Sequence, residues 1–417
     1  MMTEKSPIYV SFVLALSLVV AACGGAAGGG QEPGTEAPVK VAYLDSFSGP
    51  FVFSGTHGLN GATLAVEQAN DAGGVLGRQV ELLSADDQGS PEEGVAAFRE
   101  LAADESLVAV AGITNSGVAA AVSDAALEAQ IPLVLKGSYA RFLTEEAGHR
   151  YIFRVSAGGR TLAWATAQAA PSDFQTVCTI ANDFAYGHDI TGISLEYLRQ
   201  INPDLELLPG CEFWPTLDES DMTPYISAIA SAGPDLIIFS GLPAAAGPFI
   251  RQGQAAGLFD SVAAAINATG GSLEELESLQ ETEVPPNMIV GSDFPYPVDE
   301  DAMGFYNAYT ERFGGEQPDS SSAIAYTAIK TVLAAIEAAG STDREAVIDA
   351  LEGITVEYPT GNTATLRAFD HQSDVGWWMG DLAWDADAGA SVMANLQYIE
   401  VDGVLPTESE IDAMRSE

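Results

Sequence analysis

Residues 39–91 read VKVAYLDSFSGPFVFSGTHGLNGATLAVEQANDAGGVLGRQVELLSADDQGSP, and this stretch decides the fold. Val39 to Leu44 is a short apolar run rich in β-branched residues, the pattern of a strand buried on both faces of a parallel sheet. Ser46 to Thr56 follows as a polar loop bearing Gly, Ser and Phe. The spacing of Leu64, Ala65 and Gln68 predicts a helix over Gly58 to Ala72, stopped by Gly73-Gly74. Val80 to Ala85 is a second strand, closed by Asp86-Asp87. Together these make one βαβ unit with a right-handed crossover. Open α/β sheets bind ligands beyond the carboxyl ends of their strands, so Ser46 to Ser54 and Asp86 to Ser90 are the first loops expected at a site.

The same rhythm continues. A helix is expected over Glu92 to Asp104 and a strand over Leu107 to Gly112. The loop Ile113 to Gly117, a helix over Val118 to Gln130 and a strand over Ile131 to Leu135 follow, the last ending at Lys136-Gly137-Ser138-Tyr139. The pattern restarts near Tyr151 to Gly159. Strands are then expected at Thr176 to Ala181, Leu205 to Phe213, Leu236 to Phe239 and Ser261 to Ile266. Helices over Ile190 to Ile201, Thr223 to Ala232 and Ala244 to Ala256 separate them, the first entered through the loop Asn182 to Gly187. Beyond Pro285 come a strand ending near Phe294 and helices over Asp299 to Phe313, Ser320 to Ala339 and Thr342 to Leu351. Strand-like runs fill Thr363 to Glu400. The fold class is α/β, with two doubly wound parallel-sheet lobes.

A chain of 417 residues with 47% hydrophobic residues has enough apolar material for two domains. Met1 to Ala22 has a polar start with Lys5, the apolar run Ile8 to Val20 and a small-residue end, which is the make-up of a signal peptide. VAAC at its end resembles the bacterial lipoprotein signal, in which the cysteine, here Cys23, carries lipid. An ordinary secretion signal or a membrane anchor is the alternative. Residues 23–38 are Gly-rich and lack apolar periodicity, as in a flexible tether. The net charge is −43, and loss of the leader removes one Glu and one Lys and leaves it unchanged. Such a surface repels nucleic-acid phosphates and anionic headgroups, so no nucleic-acid partner is expected. The acidic residues are spread along the chain, which reads as a solvated surface, not a functional patch. Cys178 and Cys211 sit in two successive strand-like runs. An extracytoplasmic setting favours a disulfide between them over two buried free thiols.

Catalytic signatures are missing. There is no GxxxxGK[ST], HExxH or GxSxG, and His57, His149, His188 and His371 are not at metal-ligand spacing. Neither an enzyme nor a cofactor or metal is expected.

The segments VAYLDSFSGPFVFSG, GATLAVEQANDAGGVLGRQVELLSADDQGSP, VAGITNSG, NDFAYG, FIRQGQAAGL and LRAFDHQ together resemble the type I periplasmic solute-binding proteins of ABC transporters. Within them the resemblance is to the leucine/isoleucine/valine-binding, or hydrophobic amino acid uptake, family. It spans about Val39 to Tyr398. It implies three crossings between the lobes, with lobe I at 39–156 plus 286–362 and lobe II at 157–285 plus 363–417. It also implies a small ligand trapped between them by hinge closure, permease subunits as partners, and a monomer. By this resemblance Ser116, beside Asn115 and Gly117, meets the ligand carboxylate at a helix N-terminus. Ser116 as a plain helix cap is the competing reading. Gly137, Ser138 and Tyr139 add polar contacts, Tyr186 closes from lobe II, and Phe53 and Ser54 touch the ligand side chain. Two positions depart from the family pattern: Leu242 stands where an aromatic is usual, and Asn267 where an acid meets the ammonium group. A buried ammonium needs a carboxylate, for which Asp293 is the expected substitute. The ligand is therefore an amino acid, or a small or aromatic carboxylate or amide. A ligand sensor for a membrane partner is a further alternative, and the Trp377-Trp378 pair is expected to pack at the hinge, with a place in the cleft wall as the alternative.

Overall fold

The computed structural model describes residues 36–296 and 299–416. The leader, Cys23 and the tether up to residue 35 lie outside the described residues.

The first lobe opens with β1 (Val39–Asp45), α1 (Val52–Asp71), β2 (Val80–Asp86), α2 (Pro91–Ala102), β3 (Leu107–Gly112), α3 (Ser116–Ala129), β4 (Leu133–Leu135) and β5 (Ile152–Arg154). These five strands form one parallel sheet in the order β2-β1-β3-β4-β5. Helix α1 starts six residues before the sequence pattern placed it, so Phe53 and Ser54 lie on a helix and not in a loop. Gly55, in the stretch read as loop, hid its start, and Gly58 and Gly61 follow within the expected helix. A Cβ on Gly55 would sit 1.8 Å from the Ser46 carbonyl oxygen, one on Gly58 1.9 Å from the Tyr43 hydroxyl, and one on Gly61 2.0 Å from the Ser322 carbonyl oxygen. Glycine disfavours a helix in isolation, but here it lets the helix lie against the sheet.

The second lobe contains α4 (Gly159–Ala169), β6 (Thr176–Ala181), α5 (Ala185–Ile201), β7 (Glu206–Phe213), α6 (Thr223–Ala232), β8 (Leu236–Ser240), α7 (Pro243–Ala255), β9 (Ala264–Asn267), α8 (Leu273–Glu277) and β10 (Met288–Ser292). Helix α5 begins before Tyr186, which moves that residue from a loop to a first turn. Cys178 on β6 and Cys211 on β7 lie with Cα atoms 4.9 Å apart, their sulfurs joined. The chain then returns to the first lobe through α9 (Met303–Arg312), α10 (Ser320–Ala339), α11 (Arg344–Leu351) and the ribbon β11 (Thr355–Glu357) and β12 (Thr363–Thr365). Helix α10 is apolar and long enough to span a membrane, but its apolar residues are buried in the first lobe's core with Ala62, Ala65 and Val66 of α1. The final elements, β13 (Trp377–Asp385), β14 (Ala390–Ile399) and α12 (Glu408–Ser416), complete the chain.

Strand pairing adds detail to the two-lobe α/β fold. The second sheet runs β14-β13-β10-β9-β8-β6-β7, parallel through β10 but antiparallel at β13 and β14, so it is mixed. The lobe limits also shift. Strand β10 pairs with β9, so lobe II extends past 285 to Ser292, while β12 pairs with β11 and keeps 363–365 with lobe I. Backbone pairing decides these limits, and one chain's hydropathy does not reveal it.

Three segments link the lobes: after β5, after β10, and between β12 and β13. The first and third lie side by side, with Arg154 N bonded to the His371 carbonyl at 2.9 Å and Gln372 Nε2 to the Ser156 carbonyl at 2.9 Å.

Candidate functional site

The carboxyl ends of both sheets face one cavity of about 130 Å³. That is close to the roughly 150 Å³ apolar cavity that accepts one benzene ring, so the space suits a single small molecule.

Its floor is a sealed polar knot. Asp45, at the end of β1, accepts from the Tyr43 hydroxyl at 2.7 Å, Ser46 N at 3.0 Å, Thr114 N at 2.9 Å and Thr114 Oγ1 at 3.1 Å. Lys136 Nζ, at the end of β4, lies 3.0 Å from Asp45 Oδ2 and also donates to Ser54 O at 3.1 Å and Ser54 Oγ at 2.9 Å. Ser54 Oγ in turn meets Thr114 Oγ1 at 2.9 Å and Ser321 Oγ at 2.7 Å. Lys136 thus donates two hydrogen bonds to Ser54 and pairs its charge with Asp45. The knot ties β1, β3 and β4 to the first turns of α1 and α10.

Helix N-termini surround the space. Phe53 and Ser54 come from α1, Ser116 from α3, Tyr186 from α5, Leu242 and Pro243 from α7, and Ser320 and Ser321 from α10. The positive ends of these helix dipoles favour an anionic group of a ligand.

Aromatic rings form the walls. Tyr139 of the first lobe lies 6.0 Å from Tyr186 and 5.9 Å from Trp377, centroid to centroid, and Phe51 lies 6.3 Å from Phe184. Trp377 Nε1 donates to the Ala268 carbonyl at 2.7 Å, so this residue is both packed at the hinge and part of the wall. Arg154 holds the Tyr139 loop by donating from Nη1 to the Ser138 and Ala140 carbonyls at 2.9 and 2.7 Å. Burial pushes its guanidinium down to about 10.

Two carboxylates line the cavity. Asp319 is the N-cap of α10, with Oδ1 accepting from Ser322 N at 2.9 Å. Burial works against its charge, but His57 and the Ser322 amide outweigh this and hold it below the ordinary carboxylate range. His57 Nδ1 is 3.5 Å from Asp319 Oδ1, Nε2 is 3.6 Å from Glu316 Oε1, and the ring stacks on Phe53 at 4.0 Å. Burial disfavours the imidazolium, yet Asp319, Glu316 and Glu274 prevail and raise its pKa. Glu274, in the first turn of α8, is pushed up to about 7 by burial and then by the Asp319 charge.

Of the residues anticipated from the sequence, Phe53, Ser54, Ser116, Gly137, Tyr139, Tyr186 and Leu242 line the cavity. Five others do not. Asn115 is the N-cap of α3, its Oδ1 accepting from Gly117 N at 2.8 Å, so that amide is occupied and Ser116 is not the cap. Ser138 turns inward and donates to the Ile113 carbonyl at 2.8 Å. Asn267 is buried, donating to Glu275 Oε2 at 3.3 Å and accepting from Thr269 N at 3.1 Å. Asp293 faces a separate small space at the hinge, shared with Tyr358, Trp378 and Tyr398. The acids at the cavity are Glu274, seven residues beyond Asn267, and Asp319. Lys136, Glu274 and Asp319 escaped the sequence reading, and Trp377 takes the wall position that was the alternative to hinge packing. A signal existed for Lys136, one of four lysines in the chain, at the end of an apolar strand.

Residues 38–389 match the family model described as periplasmic binding protein. An amino acid binding protein of Pseudomonas aeruginosa is 25% identical over 343 residues, covering 81% of this chain and 88% of its own. A branched-chain amino acid transporter substrate-binding protein of Streptococcus pneumoniae, in complex with isoleucine, superposes with a TM-score of 0.74 at 20% identity. That match covers 87% of this chain and 100% of the other. A solute-binding protein of an ABC transporter from Rhodopseudomonas palustris, in complex with p-hydroxybenzoic acid, gives a TM-score of 0.77 at 20% identity, covering 89% and 98%.

Proposed function

The chain belongs to the periplasmic binding protein family, and from that premise we propose that it captures a single amino acid between its lobes for an ABC permease. Members of this family act outside the cytoplasm and bind small molecules. The observation that carries the reading is the convergence of helix N-termini and aromatic walls on one cavity at the carboxyl ends of two sheets. The N-termini suit a carboxylate, the rings suit an apolar side chain, and closure of the hinge buries both. A second reading, an aromatic carboxylate, is favoured by the rings of Phe51, Phe53, Tyr139, Phe184, Tyr186 and Trp377 around the cavity. Cys23 is the proposed lipid attachment point.

The test is thermal unfolding of the purified protein against amino acids, aliphatic and aromatic carboxylates, and amides. A compound present at one hundred times its dissociation constant adds about 2.7 kcal/mol of stability. A shift with amino acids supports the first reading, and a shift with aromatic carboxylates alone supports the second. Replacement of Cys23 by Ser is expected to move the protein from the membrane fraction to the soluble one.

A further inference from the structure

The two lobes also meet through charged groups behind the aromatic wall. Asp189 of α5 accepts from Arg141 N at 2.5 Å and from Arg141 Nε at 3.0 Å. One carboxylate of lobe II therefore holds both the backbone and the side chain of a lobe I residue. Glu145 of lobe I, 4% exposed, accepts from Arg160 Nε at 2.6 Å and Nη2 at 2.8 Å, and Arg160 belongs to α4 of lobe II. Arg141 Nη1 lies 3.6 Å from Glu145 Oε2, which joins the two pairs. Each lobe supplies one cation and one anion, an arrangement that favours a single register between them.

This junction stands directly behind the cavity. Arg141 follows Tyr139 by two residues and Asp189 follows Tyr186 by three, and these two rings face each other across the lobes with centroids 6.0 Å apart. The backbone is close-packed at the same point. A Cβ on Gly159, the first residue of α4, would sit 3.0 Å from the Tyr139 carbonyl oxygen and 3.4 Å from Arg141 N and Asp189 Oδ2. Arg154 fixes the Ser138 and Ala140 carbonyls on either side of Tyr139. The segments carrying the rings are thus tied to each other as well as to their own lobes.

We infer that Asp189 is a positioning residue of the solute site: its grip on Arg141 sets the spacing of the Tyr139–Tyr186 pair, and with it the width of apolar group the cavity accepts. This rests on the solute-binding reading and adds to it a source of size selection. Asp189 is not among the cavity-lining residues, so it acts through the two tyrosines and not by touching the ligand. A charged pair suits this task because two directed hydrogen bonds to one carboxylate fix distance and angle together, whereas apolar contacts allow sliding.

The test is calorimetric titration of the wild type, Asp189→Asn, Arg141→Met and the double variant with L-valine, L-leucine, L-phenylalanine, benzoate and 3-phenylpropanoate. Asp189→Asn is expected to weaken the tightest probe about tenfold or more and to change the affinity ratio of the largest to the smallest bound probe by about fivefold or more. Arg141→Met should act in the same direction, and the double variant should be no worse than the weaker single one, because both remove the same contact. A preserved ratio among the probes, or losses that add in the double variant, overturns the positioning role while solute binding stands. The same proteins carrying 3-fluorotyrosine report the ring pair without any solute, the two resonances being assigned with Tyr139→Phe and Tyr186→Phe. Displaced fluorine shifts for both rings in Asp189→Asn support the role, and unchanged shifts overturn it. If none of the five probes binds the wild type, the solute reading falls and the shifts alone judge the ring pair.

Discussion

Lys136 Nζ lies 3.0 Å from Asp45 Oδ2, with both side chains sealed from solvent beneath the cavity. A buried ion pair is costly to assemble, and this lysine also donates to Ser54 O and Ser54 Oγ in the first turn of α1.

Removing one partner leaves the other charge stranded. Lys136→Met is therefore expected to destabilise the fold by about 3–5 kcal/mol, read from urea unfolding. A loss of less than about 1 kcal/mol would show that water reaches Asp45 and that the knot is not sealed.

Glycines of α1 and α5 should respond oppositely to the same change. Gly55→Ala drives a methyl into the Ser46 carbonyl and is expected to cost about 1–3 kcal/mol. Gly192 in α5 is exposed with nothing within 4 Å, so Gly192→Ala should raise stability by about 0.5–1 kcal/mol through helix propensity. Thermal midpoints of the two variants, measured side by side, check the contrast.

Asp293 supplies a pH dependence. Burial pushes its carboxyl up to about 7, and the Ser320 hydroxyl only partly opposes this. The folded-state value lies above the ordinary aspartate value of 3.8, so between these pH values the native state keeps a proton that the unfolded chain has released. Stability contributed by this group therefore falls as pH rises from about 4 to 7 and is level beyond it. Asp293→Asn removes the fall, so its stability relative to wild type should improve by roughly 3–4 kcal/mol between pH 4 and 8. Urea unfolding at both pH values measures it, and a constant difference would contradict the assignment.

Cys178 and Cys211 close a loop with a sequence separation of 33. A bond across such a loop contributes about 3.5 kcal/mol in the chain-entropy model. The native protein is expected to show no reactive thiol from this pair, and replacing both cysteines by Ala should lower stability by that amount.

The sequence by itself determined the alternation of strands and helices, and with it the α/β class and the edge where a ligand sits. Apolar runs such as Leu107 to Gly112 report burial on both faces directly, because a parallel strand has no polar side. Local pattern also placed Ser116, Gly137 and Tyr139 at strand ends, which the sheet brings together at the cavity. What needed tertiary structure was everything set by contacts between distant residues. Gly55, read as part of a loop, became helical because α1 must approach Ser46. Strand β10 joined the second lobe through pairing with β9 and β13, partners far along the chain. Glu274 lines the cavity while Asn267, at the strand end, does not, since a side chain's access to a cavity depends on which lobe faces it. Periodicity records whether a residue is buried. It does not record what the residue is buried against.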